Sequence, residues 1–169
     1  MDICLLARIA LLIALVAVAT LVLRIPMPAT EGYINVGDAI IVAGALLFGG
    51  FAAGLAGGLG SALADGLGGY AHWAPFTLMI KGVEGLVIGA LCQWVKPDLG
   101  RLRGRLIAGG LAGVGLLWMV VGYFLVELLL YSLGPALASL PGNLLQAVAS
   151  LVLGLPLALT LRRLDLKSP

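Results

Sequence analysis

The sequence predicts an all-α polytopic membrane protein, a compact bundle of six transmembrane helices in one domain, on three observations. Apolar residues fall in runs of about 20, the length a helix needs to cross about 30 Å of hydrocarbon. Of the 169 residues 62% are hydrophobic and 11% charged, against roughly 25% charged in a soluble domain. The runs do not alternate apolar with polar residues, so a β-barrel, the other fold that satisfies every backbone group in lipid, does not fit them.

The first run, Ile3–Leu23, is too long for the apolar stretch of a signal peptide and has no small-x-small cleavage site before a polar start. It is read as a retained span. The second, Ala39–Ala64, has the length of one tilted helix or of two short ones. It contains Gly49-Gly50, and each glycine destabilises a helix interior by about 1 kcal/mol relative to alanine. The run is therefore divided there, giving spans over 36–48 and 51–68, followed by spans over 76–95, 105–131 and 143–161.

Basic residues concentrate on the cytoplasmic side of membrane proteins. Lys96, Arg101, Arg103 and Arg105 share one loop, and Arg162, Arg163 and Lys167 follow the last span. Both clusters read as cytoplasmic, which places the loops Gly66–Pro75 and Ser132–Gly142 outside. Arg8 and Arg24 do not separate a five-span from a six-span chain. The glycine pair favours six, with both termini in the cytoplasm of a prokaryotic cell.

Several chemistries are excluded or unsupported. No GxxxxGK[ST] loop occurs, so the chain does not bind ATP through a P-loop. There is no GxSxG, no HExxH and no cysteine paired with the single histidine, His72. Glu84 and Glu127 lack a nucleophile beside them, so no enzyme, catalytic residue, metal or cofactor is expected. Cys4 and Cys92 are far apart in apolar surroundings and read as small buried thiols. Gly54 and Gly58 are spaced as GxxxG, which suits either a dimer face or close packing inside the bundle.

A charge at membrane depth costs about 2.5–3.5 kcal/mol on insertion scales, so such residues face a partner or a cavity. Lys81 and Glu84, three apart on one helix face, form an ion pair, a ligand site or both, with Asp65 as a candidate third member. Tyr123, Glu127 and Tyr131 recur at every fourth residue and read as a cavity wall. Asn143 is either a helix cap or a ligand group; Gln146, one turn deeper on the same face, is the stronger ligand candidate.

All of these lie towards the outer side, as do Glu31, Tyr33, Asn35, Asp38, Tyr70, His72 and Trp73, which are read as loop residues. The inner half is nearly devoid of polar groups, unlike a channel, which needs them along its length. The pattern describes a cup open to the outside, with a floor of Lys81, Glu84 and Gln146, one wall of Tyr123 and Glu127, lids from Tyr33, Asn35 and Trp73, and Asp65 and Asn143 as further candidate binding residues. Glu31, Asp38, Asp65, Glu84 and Glu127 stand against Arg24 and Lys81, a formal balance of about −3 before any pKa shift. That balance disfavours an anionic ligand and suits a small, flat, neutral or cationic heterocycle.

Five segments carry a family resemblance: Ile25-Pro26-Met27-Pro28, Gly32-Tyr33-Ile34-Asn35-Val36-Gly37-Asp38-Ala39, Gly57-Gly58-Leu59-Gly60-Ser61-Ala62-Leu63-Ala64-Asp65, Trp73-Ala74-Pro75-Phe76-Thr77 and Lys81-Gly82-Val83-Glu84-Gly85. Together they resemble the S components of energy-coupling factor (ECF) transporters, in the group around riboflavin, folate, pantothenate and hydroxymethylpyrimidine uptake. The resemblance implies six helices, an outward-facing substrate site under lids after the first, third and fifth helices, and a partner complex of one T transmembrane subunit and two ATPases. It implies transport by toppling of the loaded S component. An AxxxA motif on the first helix that packs on the T subunit is matched by Ala10 and Ala14, with Ala7 and Ala17 extending the small face. The substrate within that group is left open. A small structural or enzymatic membrane subunit is the alternative reading.

Overall fold

A computed structural model describes residues 3–165, except for the side chains of Cys4 and Asp165. Lys167 of the last basic cluster and the buried-thiol reading of Cys4 therefore lie outside the described residues. Among the described residues the chain forms six helices and one two-stranded sheet.

Helix α1 (Ile3–Val22) leads into strands β1 (Arg24–Met27) and β2 (Gly32–Asn35). Helices α2 (Gly37–Phe48), α3 (Gly50–Gly68), α4 (Ala74–Val95), α5 (Leu102–Tyr131) and α6 (Leu133–Asp165) follow. Four of the six, α1, α4, α5 and α6, are long and apolar enough to cross a membrane. Helix α2, at 12 residues, is about 18 Å long.

The chain breaks at Gly49, as the glycine pair predicts. Its φ of +84° is a backbone conformation that side chains disfavour and glycine adopts freely. Helix α2 ends on one side of it and α3 starts on the other. α2 then sits in the middle of the bundle, packed against α1, α3, α4 and α6, while α1–α3, α3–α4, α4–α5 and α5–α6 pack in succession beside it.

The glycines of α3 form an internal seam. A Cβ on Gly54 would lie 2.6 Å from Leu86 Cγ and 3.0 Å from the Gly82 carbonyl; one on Gly58 would lie 2.8 Å from the Leu78 carbonyl. From the other side, a Cβ on Gly85 would meet the Ala53 carbonyl at 2.5 Å. The GxxxG spacing thus serves packing of α3 on α4, the second of the two readings it allowed. Next to the seam, Ile80, Ile88, Leu116, Met119 and Val120 fill the core between α4 and α5.

Two features differ from the sequence reading. The segment after α1 is a β-hairpin, paired Arg24↔Asn35 through Met27↔Gly32; Pro26, which has no N–H to give a ladder, is tolerated because the strand is an edge. Thr30 N–H donates to the Met27 carbonyl at 3.2 Å to close the turn, and Glu31 takes a positive φ of 50° there. The second difference is α6. The loop expected over Ser132–Gly142 is one residue, Ser132, with φ +81°, after which the helix runs from Leu133 straight through Pro141. A proline costs about 3 kcal/mol in a free helix interior, but in a bundle neighbouring groups and helices offset the lost bond. Here Ala136 and Ser139 are buried against the rest of the molecule, so packing decides over local propensity. Asn143 is accordingly mid-helix and not a cap.

Candidate functional site

One end of the bundle carries the hairpin, the α3–α4 turn and the α5–α6 junction; the other carries the loop from Lys96 to Arg101 and Arg162–Arg163. At the hairpin end, α1, the hairpin and α3 to α6 enclose a narrow cavity. It has a volume of about 30 Å³, room for roughly two waters. Tyr33, Asn35, Asp65, Trp73, Lys81, Tyr123, Glu127, Asn143 and Gln146 all line it. Glu84, the remaining candidate, does not: it sits behind Lys81, fully buried, its carboxylate 3.6 Å from Lys81 Nζ.

The hairpin covers the cavity because both of its ends are fastened. At the turn, the buried Trp73 indole N–H donates to the carbonyls of Thr30 at 3.3 Å and Glu31 at 3.2 Å. The same ring meets Tyr123 edge-on at 5.8 Å and Phe76 at 6.2 Å, geometries that suit the charge distribution of aromatic rings. Midway, the Tyr33 hydroxyl donates to Asp65 Oδ1 at 2.5 Å. Burial, and then the neighbouring Asp65 carboxylate, hold the Tyr33 phenol far above its usual pKa. Tyr70 packs on Tyr33 at 4.6 Å, and Arg24 lies 5.8 Å and 6.0 Å from the two ring centroids while donating to the Gly68 carbonyl at 3.0 Å.

The floor is an ion-pair network, and its third member corrects the expectation. Lys81 donates to Asp38, not to Asp65, in a short buried contact. Asp38 is in the first turn of α2 and fully buried, inside the span expected over 36–48 and not in the loop before it. The sequence held a signal for it: a buried ammonium needs a well-placed counter-charge and further hydrogen-bond partners to offset its desolvation, and Asp38 opens an otherwise apolar helix. Asp65 is engaged by the Tyr33 phenol instead. Lys81 Nζ also stands 5.4 Å over the Tyr123 ring.

The Tyr123–Glu127–Tyr131 stripe divides three ways. Tyr123 donates to Thr77 at 3.2 Å. Glu127 accepts from Ser139 in a short contact and from Asn143 Nδ2 at 3.5 Å. Tyr131 turns outwards to His72, 3.3 Å away, and does not line the cavity. Thr20, Ser61, Thr77, Met27 and Gly32 also line it; none is among the candidate site residues of the sequence, since a lone hydroxyl, methionine or glycine among apolar residues carries no distinctive chemistry. Gly37 admits a close neighbour: a Cβ there would collide with the Thr20 side chain. Among the described residues no group of three acidic, histidine or cysteine side chains is arranged to hold a metal.

A polar, aromatic-walled cavity at one end of an apolar bundle is the arrangement of a binding protein rather than of a channel. The family described as ECF-type riboflavin transporter, S component, matches residues 1–163. The chain belongs to this ECF S-component family. A Pyrococcus woesei protein described as "Uncharacterized protein in gap 3'region" is 43% identical over 139 residues, which is 82% of this chain and 88% of that one. As an ECF S component the chain is a substrate-binding subunit of a membrane transporter and not an enzyme. On the first helix of this S component, Ala7, Ala10 and Ala14 are exposed while Ile9, Leu12 and Val16 face the core. The cavity lies apart from that face.

Proposed function

We propose that this S component captures a small, flat, neutral or weakly cationic heterocyclic vitamin or vitamin precursor in the cavity under the hairpin, with riboflavin, the compound its family is described by, as the first candidate. The observation that carries the reading is the convergence of three rings, Tyr33, Trp73 and Tyr123, with Lys81, Asp65, Glu127 and Asn143 on one enclosed space. Rings grip a flat molecule by its faces, and the charged groups read the heteroatoms at its edges. The acidic lining opposes an anionic ligand. Space for roughly two waters does not hold a ring system, so loading requires the hairpin or the first turns of α6 to lift.

In this reading the six helices all serve as spans, both termini and the Arg101–Arg105 end face the cytoplasm, and the cavity opens outside the cell membrane. Transport proceeds by toppling with a T subunit and two ATPases, for which the exposed Ala7, Ala10 and Ala14 stripe is the docking face; small side chains let another helix approach closely.

Riboflavin titration of the purified chain, followed by quenching of the vitamin's fluorescence, tests the site. Binding by the isolated chain is expected, with uptake into cells only when the T subunit and ATPases are co-expressed; uptake without them would remove the partner assignment. Glu127→Gln is expected to weaken binding about tenfold or more, the effect of a hydrogen bond to a charged group, and Trp73→Ala less, mainly by faster release. Normal binding by Glu127→Gln with easier unfolding would make that carboxylate structural. In the same cells Glu31→Cys is expected to react with an impermeant reagent from outside; no reaction would reinstate five spans.

A further inference from the structure

Beneath the hairpin the polar groups form one continuous chain through four elements. The Asn35 N–H, at the end of β2, donates to Gln146 Oε1 on α6 at 2.8 Å. Gln146 Nε2 donates to Asp38 Oδ2 on α2 at 2.7 Å. The other Asp38 oxygen receives the Lys81 ammonium from α4, and Lys81 lines the cavity. Gln146 is 3% exposed and Asp38 fully buried away from the cavity, so Asp38 has no water to turn to when Gln146 leaves it. An unmade hydrogen bond in such a place is more costly than a made one is stabilising.

We infer that Gln146 is a positioning residue that couples closure of the hairpin to the seating of Lys81, through its two-ended hold on Asn35 and Asp38. The inference rests on the reading of the cavity as the substrate site, and it changes what Gln146 does there. Its amide oxygen and its amide nitrogen each already hold a protein partner, one on the cover and one on the floor, so it transmits between them. When the hairpin lifts, the Asn35–Gln146 bond breaks, and the amide that orients Asp38 loses its anchor. When a substrate engages Lys81 and fixes Asp38, the amide is held in place to receive Asn35. The coupling works equally in both directions, as any linkage between two sites must. Neither bond joins sequence neighbours: 111 residues separate the first pair and 108 the second.

Hydrogen–deuterium exchange of the hairpin, residues 24–35, in the ligand-free full-length chain reads the latch directly, and stopped-flow release of riboflavin reads its effect on binding. Gln146→Leu is expected to speed exchange at the Asn35 amide about tenfold and riboflavin release by a similar factor, the effect of one well-formed bond. Gln146→Met, of similar volume and more adaptable, gives the same reading if the leucine variant does not fold. Asp38→Asn, which perturbs the floor, is expected to speed hairpin exchange as well. Adding it to Gln146→Leu should produce no further increase, because the two act through one chain. Hairpin exchange unchanged in Gln146→Leu, or additive effects in the double variant, overturns the inference. Weaker binding with unchanged exchange also overturns it and makes Gln146 a direct substrate group. If riboflavin fails to bind any variant, the substrate reading falls while the exchange results still decide the latch.

Discussion

At the hairpin end of the bundle four carboxylates and a lysine are enclosed together, Asp38, Asp65, Glu84, Glu127 and Lys81, and elements far apart in sequence meet through hydrogen bonds. Along the α3–α4 seam, backbone meets backbone with glycine at nearly every contact and no charge takes part. The seam is held by close approach, which depends on the absence of side chains. The polar end is held by specific partners, each satisfying a group that lipid would leave unpaired. A seam of that kind tolerates no added volume. A polar end of that kind tolerates volume changes better than changes of charge, and it can open, because its bonds are few and directional.

The comparison breaks most sharply at Gly85. A leucine there would drive its Cβ into the Ala53 backbone, 2.5 Å away with nothing flexible to yield. Overpacking in a tight core costs about 1–3 kcal/mol when side chains give way, and here a helix would have to move. Gly85→Leu is expected to yield no stable folded protein by thermal unfolding in detergent. A melting temperature near that of the unsubstituted chain would mean that α4 slides past α3 freely and that the seam does not hold the bundle.

Lys81→Met comes next. It keeps most of the length of the side chain and removes the charge, leaving Asp38 and Glu84 without their shared cation. Breaking a buried pair by removing one partner costs about 3–5 kcal/mol. The variant is expected to fold but to unfold at markedly lower denaturant, and Asp38→Asn in the same chain should recover part of the loss by removing one uncompensated charge. No recovery would place the destabilisation in lost packing around Tyr123 instead of in the network.

How much of this was legible follows the same division. The seam and the break at Gly49 were readable because glycine spacing is a local pattern, although the partner helix was not. The polar residues were readable as a set, since each interrupts an apolar run. Their pairings were not: Lys81 and Asp38 are 43 residues apart, whereas Asp65, at a helix end, is closer to Lys81 in sequence. The hairpin escaped notice because its strands are four residues long with a proline in one. The helix over 133–142 escaped because Pro141-Gly142 is ordinarily a stop signal, overridden here by burial of Ala136 and Ser139.

The smallest expected effect sharpens the comparison at the hairpin itself. Tyr33 donates to Asp65, and burial together with that carboxylate raises its phenol pKa far above the ordinary value near 10. In the unfolded chain the phenol ionises at about pH 10; in the folded chain it stays protonated beyond that. A raised folded pKa gives stability that is fully present below the unfolded value and is lost as pH rises above it. Tyr33 is partly open to water, so the loss between pH 10 and 11 is expected to be no more than about 1 kcal/mol after screening. Tyr33→Phe removes the ionising group and the bond together. It is expected to be less stable than the unsubstituted chain by about 1 kcal/mol at pH 8, with the two converging as pH rises past 10. The difference between the two unfolding curves isolates Tyr33, since every other ionisable group is present in both chains. A constant difference from pH 8 to 11 would mean that the phenol reaches water and ionises in the folded protein as it does in the unfolded one. The hairpin would then already be loose at its midpoint, held by Trp73 at the turn and by Gln146 and Arg24 at the base.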